Sequence, residues 1–216
     1  MIGTISAGVK KIVESLGQLP QPVSHPALVL VSGLPGSGKS YFSRALAQRA
    51  GMTMVQSDAV RKLLFPRPIY DSNESYRVFL RCHDVIEYLL NLGLNVIFDA
   101  TNLRERNRKY IYTIAKATGA KLIIVWVEAP PDVVFQRMKA RAADRDPLDM
   151  SDATWKIYQE LAATTQRINR QHYVVNTSGD IGPALEEIER EVKRPPVHET
   201  RPKKGVSSAG NKRKHS

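Results

Sequence analysis

A glycine-rich loop is the part of this sequence best suited to bind phosphate. Residues 33–40 read GLPGSGKS, in which Gly33 is followed after four residues by Gly38, Lys39 and Ser40. Glycines let successive backbone N–H groups point at a phosphate, and a helix that begins at Lys39 adds the positive end of its dipole. Lys39 would neutralise the β and γ phosphates of ATP, and the Ser40 hydroxyl would ligate Mg²⁺. The alternative is a Gly-rich turn without a nucleotide.

The run NVIFD ends in a carboxylate, Asp99, directly after apolar residues. At the end of a strand beside the loop, Asp99 would hold Mg²⁺ through water, with Ser40 as the other metal residue. An Asp at a strand end is also an ordinary turn former. The residues that we expect to contact ATP are Gly33, Pro35, Gly36, Ser37, Gly38, Lys39, Ser40, Tyr41, Arg137 and Arg141.

A carboxylate and an arginine follow the second apolar run, in QSDAVRKLL. Asp58 would lie at the carboxyl end of a strand, where open α/β sheets bind ligands, and Arg61 would share its helical face. Asp58 could accept the proton of an attacking hydroxyl, and Arg61 could fix an acidic part of the acceptor. The alternative is that Asp58 or Ser57 only caps the following helix.

Three arginines, Arg137, Arg141 and Arg145, are spaced four residues apart in VVFQRMKARAADR. Like charges at this spacing repel on an isolated helix, and a bound polyanion would remove that cost. We interpret residues 130–150 as a small helical lid over the nucleotide, with Arg141 stabilising the transferred phosphoryl group. The alternative is a solvated basic face partly paired with Asp144 and Asp146.

The run DATNLRERNRKYI follows the third apolar run at once and supplies further polar residues near the active edge. Its arginines could bind an anionic acceptor, although surface arginines on a helix are common. Together with Arg61, the residues expected to bind the acceptor are Thr101, Asn102 and Arg108, with Arg104 and Arg106 nearby. The catalytic residues expected are Asp58, Lys39 and Arg141.

Five short apolar runs alternate with helical patterns and predict the elements that position these side chains. The runs span residues 27–32, 52–57, 94–100, 121–129 and 172–177. Near-continuous apolar strands separated by helices predict a mainly parallel five-stranded sheet covered on both faces, with the loop strand in the middle. Two helical stripes are expected to face the core: Phe42, Ala45, Leu46 and Arg49; and Tyr76, Phe79, Leu80, His83, Ile86 and Leu90. A later helix would begin after Ser151.

Composition predicts one soluble α/β domain within 216 residues. We expect an N-terminal helix and linker over residues 1–26, the domain over 27–193 and a basic tail over 194–216. The tail carries seven Lys or Arg and one Glu, a net +6 of the total +11, and we expect it to be disordered. It would either solubilise the chain or attract polyanions. A lone Cys82, no export pattern and no long apolar stretch favour a cytoplasmic protein without membrane contact.

Taken together, the loop, Asp58 with Arg61, the DATNLRER run and the paired Arg137 and Arg141 resemble the polynucleotide 5′-hydroxyl kinase branch of P-loop kinases, with the related AAA-type small kinases. The likeness covers about residues 27–190. It implies a P-loop NTPase three-layer sandwich, with Asp58 as general base, Arg61 on an acceptor phosphate and Arg141 aiding transfer. The run DATN is one residue longer than the DTN of that family, and SDATWKIYQEL is more similar to the small kinases.

The sequence therefore predicts an ATP- and Mg²⁺-dependent kinase that phosphorylates an acceptor hydroxyl. A nucleic acid 5′ end is one acceptor, and a sugar, nucleoside or antibiotic is the other. Two further classes stay open: a non-catalytic, nucleotide-dependent module that binds nucleic acid, and an NTPase that needs no acceptor.

Overall fold

The computed structural model describes residues 6–143 and 153–195, and a five-stranded parallel sheet forms its centre. The strands are β1 (Ala27–Ser32), β2 (Thr53–Gln56), β3 (Val96–Asp99), β4 (Lys121–Glu128) and β5 (Tyr173–Asn176). Their order across the sheet is β2-β3-β1-β4-β5, and all four pairings are parallel. The predicted parallel sheet with β1 in the middle is confirmed.

Eight helices connect and cover the strands in the described part of the chain. They are α1 (Ala7–Ser15), α2 (Lys39–Ala50), α3 (Ser57–Leu64), α4 (Ser72–Asn91), α5 (Glu105–Thr118), α6 (Pro131–Ala143), α7 (Trp155–Thr164) and α8 (Gly182–Lys193).

Alternate residues of β1 point to opposite faces of the sheet, because side chains in a strand repeat every two residues. Leu28 and Leu30 join a core that includes buried residues of α1, α3, α4 and α5, whereas Ala27, Val29 and Val31 join one that includes α2 and α8. All five of these side chains are fully buried. The chain is thus a three-layer sandwich, and the sequence of β1 is continuously apolar because both faces are covered.

The N-terminal helix is packed into the same core as the sheet. Val9 and Ile12 of α1 are 4% and 1% exposed, and α1 lies against α4. The position near Ala27 therefore marks the start of the sheet, whereas the packed unit already includes α1.

The predicted core stripe of α4 is only partly right. Tyr76 and Leu80 are 65% and 40% exposed, whereas Val78, Cys82 and Val85 are fully buried. Apolar residues occur on more than one side of this helix, so periodicity alone selected a stripe rotated away from the buried one. Cys82 is a buried thiol, as predicted.

Several predictions fall on residues outside the described ones. These are the second half of the lid with Asp144, Arg145 and Asp146, the cap Ser151, and all but the first two residues of the tail. The helix after the lid begins at Trp155 with Thr154 as its N-cap residue.

The strand order places the loop at the point where the connections diverge to the two sides of the sheet. β1 lies between β3 and β4, so the loop that follows Ser32 opens at the carboxyl ends of the strands between these neighbours. Ligands bind in open α/β sheets at this kind of crevice.

Candidate phosphate-binding and acceptor site

The glycine-rich loop passes so close to its neighbours that side chains are excluded at three positions. A Cβ on Gly33 would lie 2.2 Å from the Val127 carbonyl oxygen, and one on Gly36 would lie 2.8 Å from Val134 Cγ1. Gly38 has φ of 89° and is the N-cap residue of α2, where no side chain caps the first turn within the described chain. The N–H groups that begin α2 have no side-chain cap among the described residues and could therefore bind an anion.

The remaining loop residues surround this turn. Pro35 and Ser37 are buried, and Tyr41, the third residue of α2, is 58% exposed. The Lys39 Nζ donates to the Leu34 carbonyl at 2.9 Å, so the side chain lies along the loop. This position suits an ammonium group that neutralises phosphate oxygens.

Ser40 and Asp99 meet beside the loop. The Ser40 hydroxyl donates to Asp99 Oδ2 at 2.7 Å, and the Gln56 side-chain amide donates to Ser40 Oγ at 3.0 Å. The sheet brings these side chains together, because Asp99 is paired with Val31 of β1 and with Gln56 of β2. Burial raises the pKa of Asp99, although Lys39 and the Ser40 hydroxyl oppose that shift.

The donors at this point fit a magnesium ion. Hydroxyl and carboxylate oxygens are hard ligands, and Mg²⁺ in phosphate sites commonly uses one or two protein oxygens together with waters and phosphate. Within the described residues no group of three or more His, Cys, Asp or Glu side chains is placed to hold a metal ion. A site made of Ser40 and Asp99 therefore needs a bound phosphate to be complete.

Asp58 lies in the first turn of α3, immediately after β2. Gln56 is the N-cap residue of this helix and no side chain caps it in the described structure, so neither Ser57 nor Asp58 serves as the cap. Burial raises the pKa of Asp58; Lys39 and Arg61 lower it, and Asp99 raises it. The Asp58 carboxylate therefore shares an electrostatic environment with the loop lysine and the candidate metal ligand.

Arg61 is engaged within the protein. Its Nη1 is paired with Glu74 Oε1, its Nη2 donates to Ser75 Oγ at 3.2 Å, and its Cζ lies 4.6 Å from the centre of the Tyr70 ring. The residue is 6% exposed. The predicted contact with an acceptor is not favoured by this geometry, because both terminal nitrogens of the guanidinium are bonded to residues of α4.

Glu74 organises the connection between α3 and α4. Its carboxylate also accepts the Ile69 and Tyr70 backbone N–H groups, at 2.8 and 3.3 Å. Hydrogen bonds from these groups and from Arg61 hold the pKa of Glu74 below its ordinary value, against the opposing effect of burial. Sequence reasoning missed Glu74, since its partner lies 13 residues away in another helix.

The DATN loop is fastened to the phosphate loop. The Gly33 N–H donates to the Thr101 carbonyl at 3.1 Å, and the Asn102 side-chain amide donates to the Val31 carbonyl at 2.8 Å. Asn102 is 1% exposed with φ of 48°. Thr101 is half-buried. The Asn102 side chain is thus bonded to β1 just before the phosphate loop. The prediction placed it against an acceptor instead.

Arg108, which we expected to bind an acceptor, is wholly buried and bonded within the protein. Its guanidinium donates to Glu105, to the Asn102 carbonyl and to the carbonyls of Gln166 and Arg167, at 2.9 to 3.0 Å. No side of the group is left to face a ligand. Arg108 instead ties α5 to the segment that leads from α7 into β5.

The lid arginines are also held by the protein. Arg137 donates through Nη1 to Thr177 Oγ1 at 2.8 Å and through Nη2 to the Thr177 carbonyl at 2.7 Å. Arg141 donates to the Ala153 carbonyl. Val134 and Met138 of α6 contact Gly36, so the first part of the lid already rests on the loop. The two arginines lie on the helix whose first part rests on the loop, and sequence reasoning missed Thr177.

No helix of the described chain is long and apolar enough to cross a bilayer.

The chain has the fold of P-loop kinases. Kti12 from Chaetomium thermophilum, solved with ADP-AlF3, superimposes with a TM-score of 0.64 at 16% identity, covering 77% of this chain and 97% of that one. The APS kinase CysC of Mycobacterium tuberculosis, solved with AMPPNP and APS, gives 0.62 at 16% identity, covering 81% and 100%. At such identities the likeness concerns the fold.

The chain belongs to the AAA domain family, whose model matches residues 28–165. Among curated relatives, an L-seryl-tRNA(Sec) kinase from Methanococcus maripaludis is 28% identical over 114 residues. That match covers 51% of this chain and 44% of the relative, so the chain spans less than half the length of that protein.

Proposed function

We propose that this protein is an ATP-dependent kinase that transfers the γ-phosphoryl group of ATP to an acceptor hydroxyl, with Asp58 as the general base. The observation that carries the proposal is that Asp58 lies in the first turn of α3, directly after β2, whose last residue is paired with Asp99, and that Lys39 is near enough to lower its pKa. Asp58 is half-buried, and burial raises its pKa above the ordinary value. Perturbed carboxylates in clefts mark acid–base residues.

The proposed reaction is an in-line displacement. The acceptor hydroxyl gives its proton to the Asp58 carboxylate, and its oxygen forms a bond to the γ-phosphorus. The bond from that phosphorus to the oxygen bridging to the β-phosphate breaks, and ADP leaves. Lys39 neutralises the phosphates, and a magnesium ion on Ser40 and Asp99 would withdraw charge from the same oxygens when bound. Because burial raises the pKa of Asp58, its carboxylate is a stronger base than an exposed one.

The lid arginines contribute in the same scheme. Arg137 and Arg141 lie on α6, which rests on Gly36. Arg141 would stabilise charge that develops on the transferred group, and Arg137 would hold the lid against the site. The segment Asn176 to Ile181, which leaves β5 beside the loop, would pass near the adenine. The buried thiol of Cys82 is compatible with a reducing, cytoplasmic setting.

A second observation favours a nucleic acid as the acceptor. Five exposed cations, which we call the basic surface, lie on the start of α5 and on the segment beside it: Arg104, Arg106, Lys109, Arg167 and Arg170. The two parts are adjacent, because the Gln166 N–H donates to the Leu103 carbonyl at 2.9 Å and Arg170 lies 4.3 Å above the Tyr112 ring.

The cations of the basic surface differ from many others in the protein. Arg49, Arg81 and Lys121 are each paired with a carboxylate. None of the five has an ion-pair partner within residues 6–143 and 153–195, and Glu105 is paired with the buried Arg108. Since α5 begins at the active edge of the sheet, a phosphate backbone on this surface would lead towards Asp58. One relative is an L-seryl-tRNA(Sec) kinase, whose substrate includes a nucleic acid.

A screen with γ-labelled ATP tests the proposal. Wild-type protein and Asp58→Asn are incubated with 5′-hydroxyl RNA and DNA oligonucleotides, sugars, nucleosides and aminoglycosides. We expect wild-type protein to label the oligonucleotides and Asp58→Asn to label nothing. ATP hydrolysis at the same rate without any acceptor would identify an NTPase. ATP binding with neither transfer nor hydrolysis would identify a binding module.

Charge reversal tests the nucleic-acid acceptor separately. The variant carrying Arg106→Glu, Lys109→Glu and Arg170→Glu should bind a single-stranded oligonucleotide at least about tenfold more weakly and with a shallower salt dependence. The matched control reverses three exposed cations elsewhere, Lys11, Lys116 and Arg190. Equal loss in both variants would mean that only net charge matters. Labelling of a small molecule in place of an oligonucleotide would exclude this acceptor class.

A further inference from the structure

Thr177 occupies the junction between the phosphate loop, the sheet and the lid. It follows β5 directly, is 5% exposed, and its N–H donates to the Glu128 carbonyl at 2.9 Å, which continues the pairing of β4 and β5. A Cβ on Gly38 would lie 2.8 Å from Thr177 Oγ1, so the loop backbone lies directly against this side chain. The backbone of Thr177 is therefore held by its pairing with β4, and the phosphate loop packs against it.

The Thr177 hydroxyl hydrogen-bonds both as a donor and as an acceptor, and the Glu128 carbonyl lies 3.4 Å from Oγ1 as a second, longer acceptor for its one proton. Oγ1 donates to the Ser37 carbonyl at 2.8 Å and accepts from Arg137 Nη1, also at 2.8 Å. Arg137 Nη2 donates to the Thr177 carbonyl at 2.7 Å, so the guanidinium is bonded to both the hydroxyl and the carbonyl of Thr177. One hydroxyl group thus connects a carbonyl of the phosphate loop to an arginine of the lid.

The bond to Ser37 has a consequence for phosphate binding. In a trans peptide the carbonyl and the following N–H point to opposite sides. Holding the Ser37 carbonyl towards Thr177 therefore turns the Gly38 N–H away from Thr177, to the side where phosphate would lie. Backbone N–H groups of such loops are the donors that cradle phosphates.

We infer that Thr177 is a positioning residue for nucleotide binding. Its hydroxyl orients the Ser37–Gly38 peptide and binds Arg137, so that one residue determines the positions of both the phosphate loop and the lid helix. A valine would fill the same volume without the hydroxyl. It would leave the Ser37 carbonyl and one Arg137 donor without their partner, and unpaired buried polar groups are costly. A serine would keep both hydrogen bonds and lose only a methyl group.

The test compares Thr177→Val and Thr177→Ser by isothermal titration with ADP and Mg²⁺. We expect Thr177→Val to bind ADP about tenfold more weakly and Thr177→Ser to stay within about twofold of wild type. Thr53→Val is the matched control, because Thr53 is a buried threonine whose hydroxyl has no hydrogen-bond partner in the described structure. It should bind ADP as wild type does.

A double-mutant cycle with Arg137→Met distinguishes positioning from packing. If one hydroxyl couples loop and lid, Thr177→Val and Arg137→Met together should weaken ADP binding by clearly less than the product of their separate effects. Wild-type affinity in Thr177→Val, an equal loss in Thr177→Ser, or fully additive effects would each overturn the inference. It rests on the proposed function only in taking an adenine nucleotide as the ligand. No acceptor is present in this test, so a failed kinase assay and a failed inference are distinguishable.

Discussion

The Ser40 hydroxyl donates to Asp99 at 2.7 Å although the two residues are 59 positions apart in the chain. The first begins a helix and the second ends a strand, and the pairing of β1 with β3 brings them together. In the proposed complex Ser40 and Asp99 would hold Mg²⁺, and the ion would neutralise charge on the phosphates.

Ser40→Ala should therefore weaken the response to Mg²⁺. We expect the Mg²⁺ concentration for half-maximal ADP binding to rise at least about tenfold, since even changes to the side chains around a metal's ligands typically cost that much affinity. Ser43→Ala is the control, since Ser43 lies one turn later in α2 and its buried hydroxyl has no partner in the described structure. A Mg²⁺ titration followed by calorimetry measures both. An unchanged midpoint in Ser40→Ala would remove Ser40 from the metal site.

Arg108→Lys should destabilise the fold without removing charge. The lysine cannot reproduce four hydrogen bonds to two separate segments, and breaking a buried network of this kind costs about 3 kcal/mol. Arg106→Lys, two residues earlier and exposed, should change the free energy of unfolding by less than about 0.5 kcal/mol. Urea unfolding compares them. Equal stability of the two variants would contradict the structural role of Arg108.

Arg108 also shows where sequence reasoning reached its limit. The loop and Asp58 were predictable because each follows an apolar strand, and Asp99 because it ends one; the strand alternation fixed the edge at which they lie. Whether an arginine on α5 faces solvent or the interior depends on Gln166 and Arg167, which lie 58 and 59 residues later. No local pattern encodes that contact.

The site residues that sequence reasoning missed also depend on contacts that no local pattern encodes. Gln56, Glu74 and Thr177 are ordinary polar residues in sequence, and each acquires its role from a partner in another element. One signal was present: NTSGDI follows an apolar run at the same edge of the sheet, so a hydroxyl at Thr177 could have been placed near the loop. The rotated stripe of α4 has another cause, since apolar residues on several sides of that helix leave periodicity ambiguous.

His83 should make the stability of the fold depend on pH. Its ring packs against Phe79, Phe98 and Tyr110, and its buried Nε2 has no hydrogen-bond partner in the described structure. Burial lowers the pKa of His83 below 6.5, and Asp84 opposes this only partly. Between the lowered value and 6.5 the unfolded chain binds more protons, so the free energy of unfolding falls as the pH drops below about 6.5.

His83→Phe keeps the aromatic contacts and removes the titrating group. Chemical denaturation at pH 8 and at pH 5.5 should therefore show a smaller loss of stability on acidification in His83→Phe than in wild type. The same pH dependence in both proteins would mean that other groups carry it.

Asp58→Asn should stabilise the protein at neutral pH. The folded-state pKa of Asp58 is raised above 3.8, so the folded state binds the proton more tightly than the unfolded chain does. The stability that this group contributes is present below pH 3.8 and is lost as the pH rises through the folded-state value. An amide avoids the burial of a charge, so urea midpoints at pH 7 should be higher for Asp58→Asn. A lower midpoint would mean that attraction to Lys39 and Arg61 outweighs burial.

The most direct measurement of the central claim is the rate of phosphoryl transfer by Asp58→Asn, with wild-type protein and the acceptor labelled in the screen alongside. If Asp58 is the general base, transfer at saturating ATP should fall at least about 100-fold, while ADP affinity stays within about twofold of wild type. Transfer at the wild-type rate by Asp58→Asn would contradict the account.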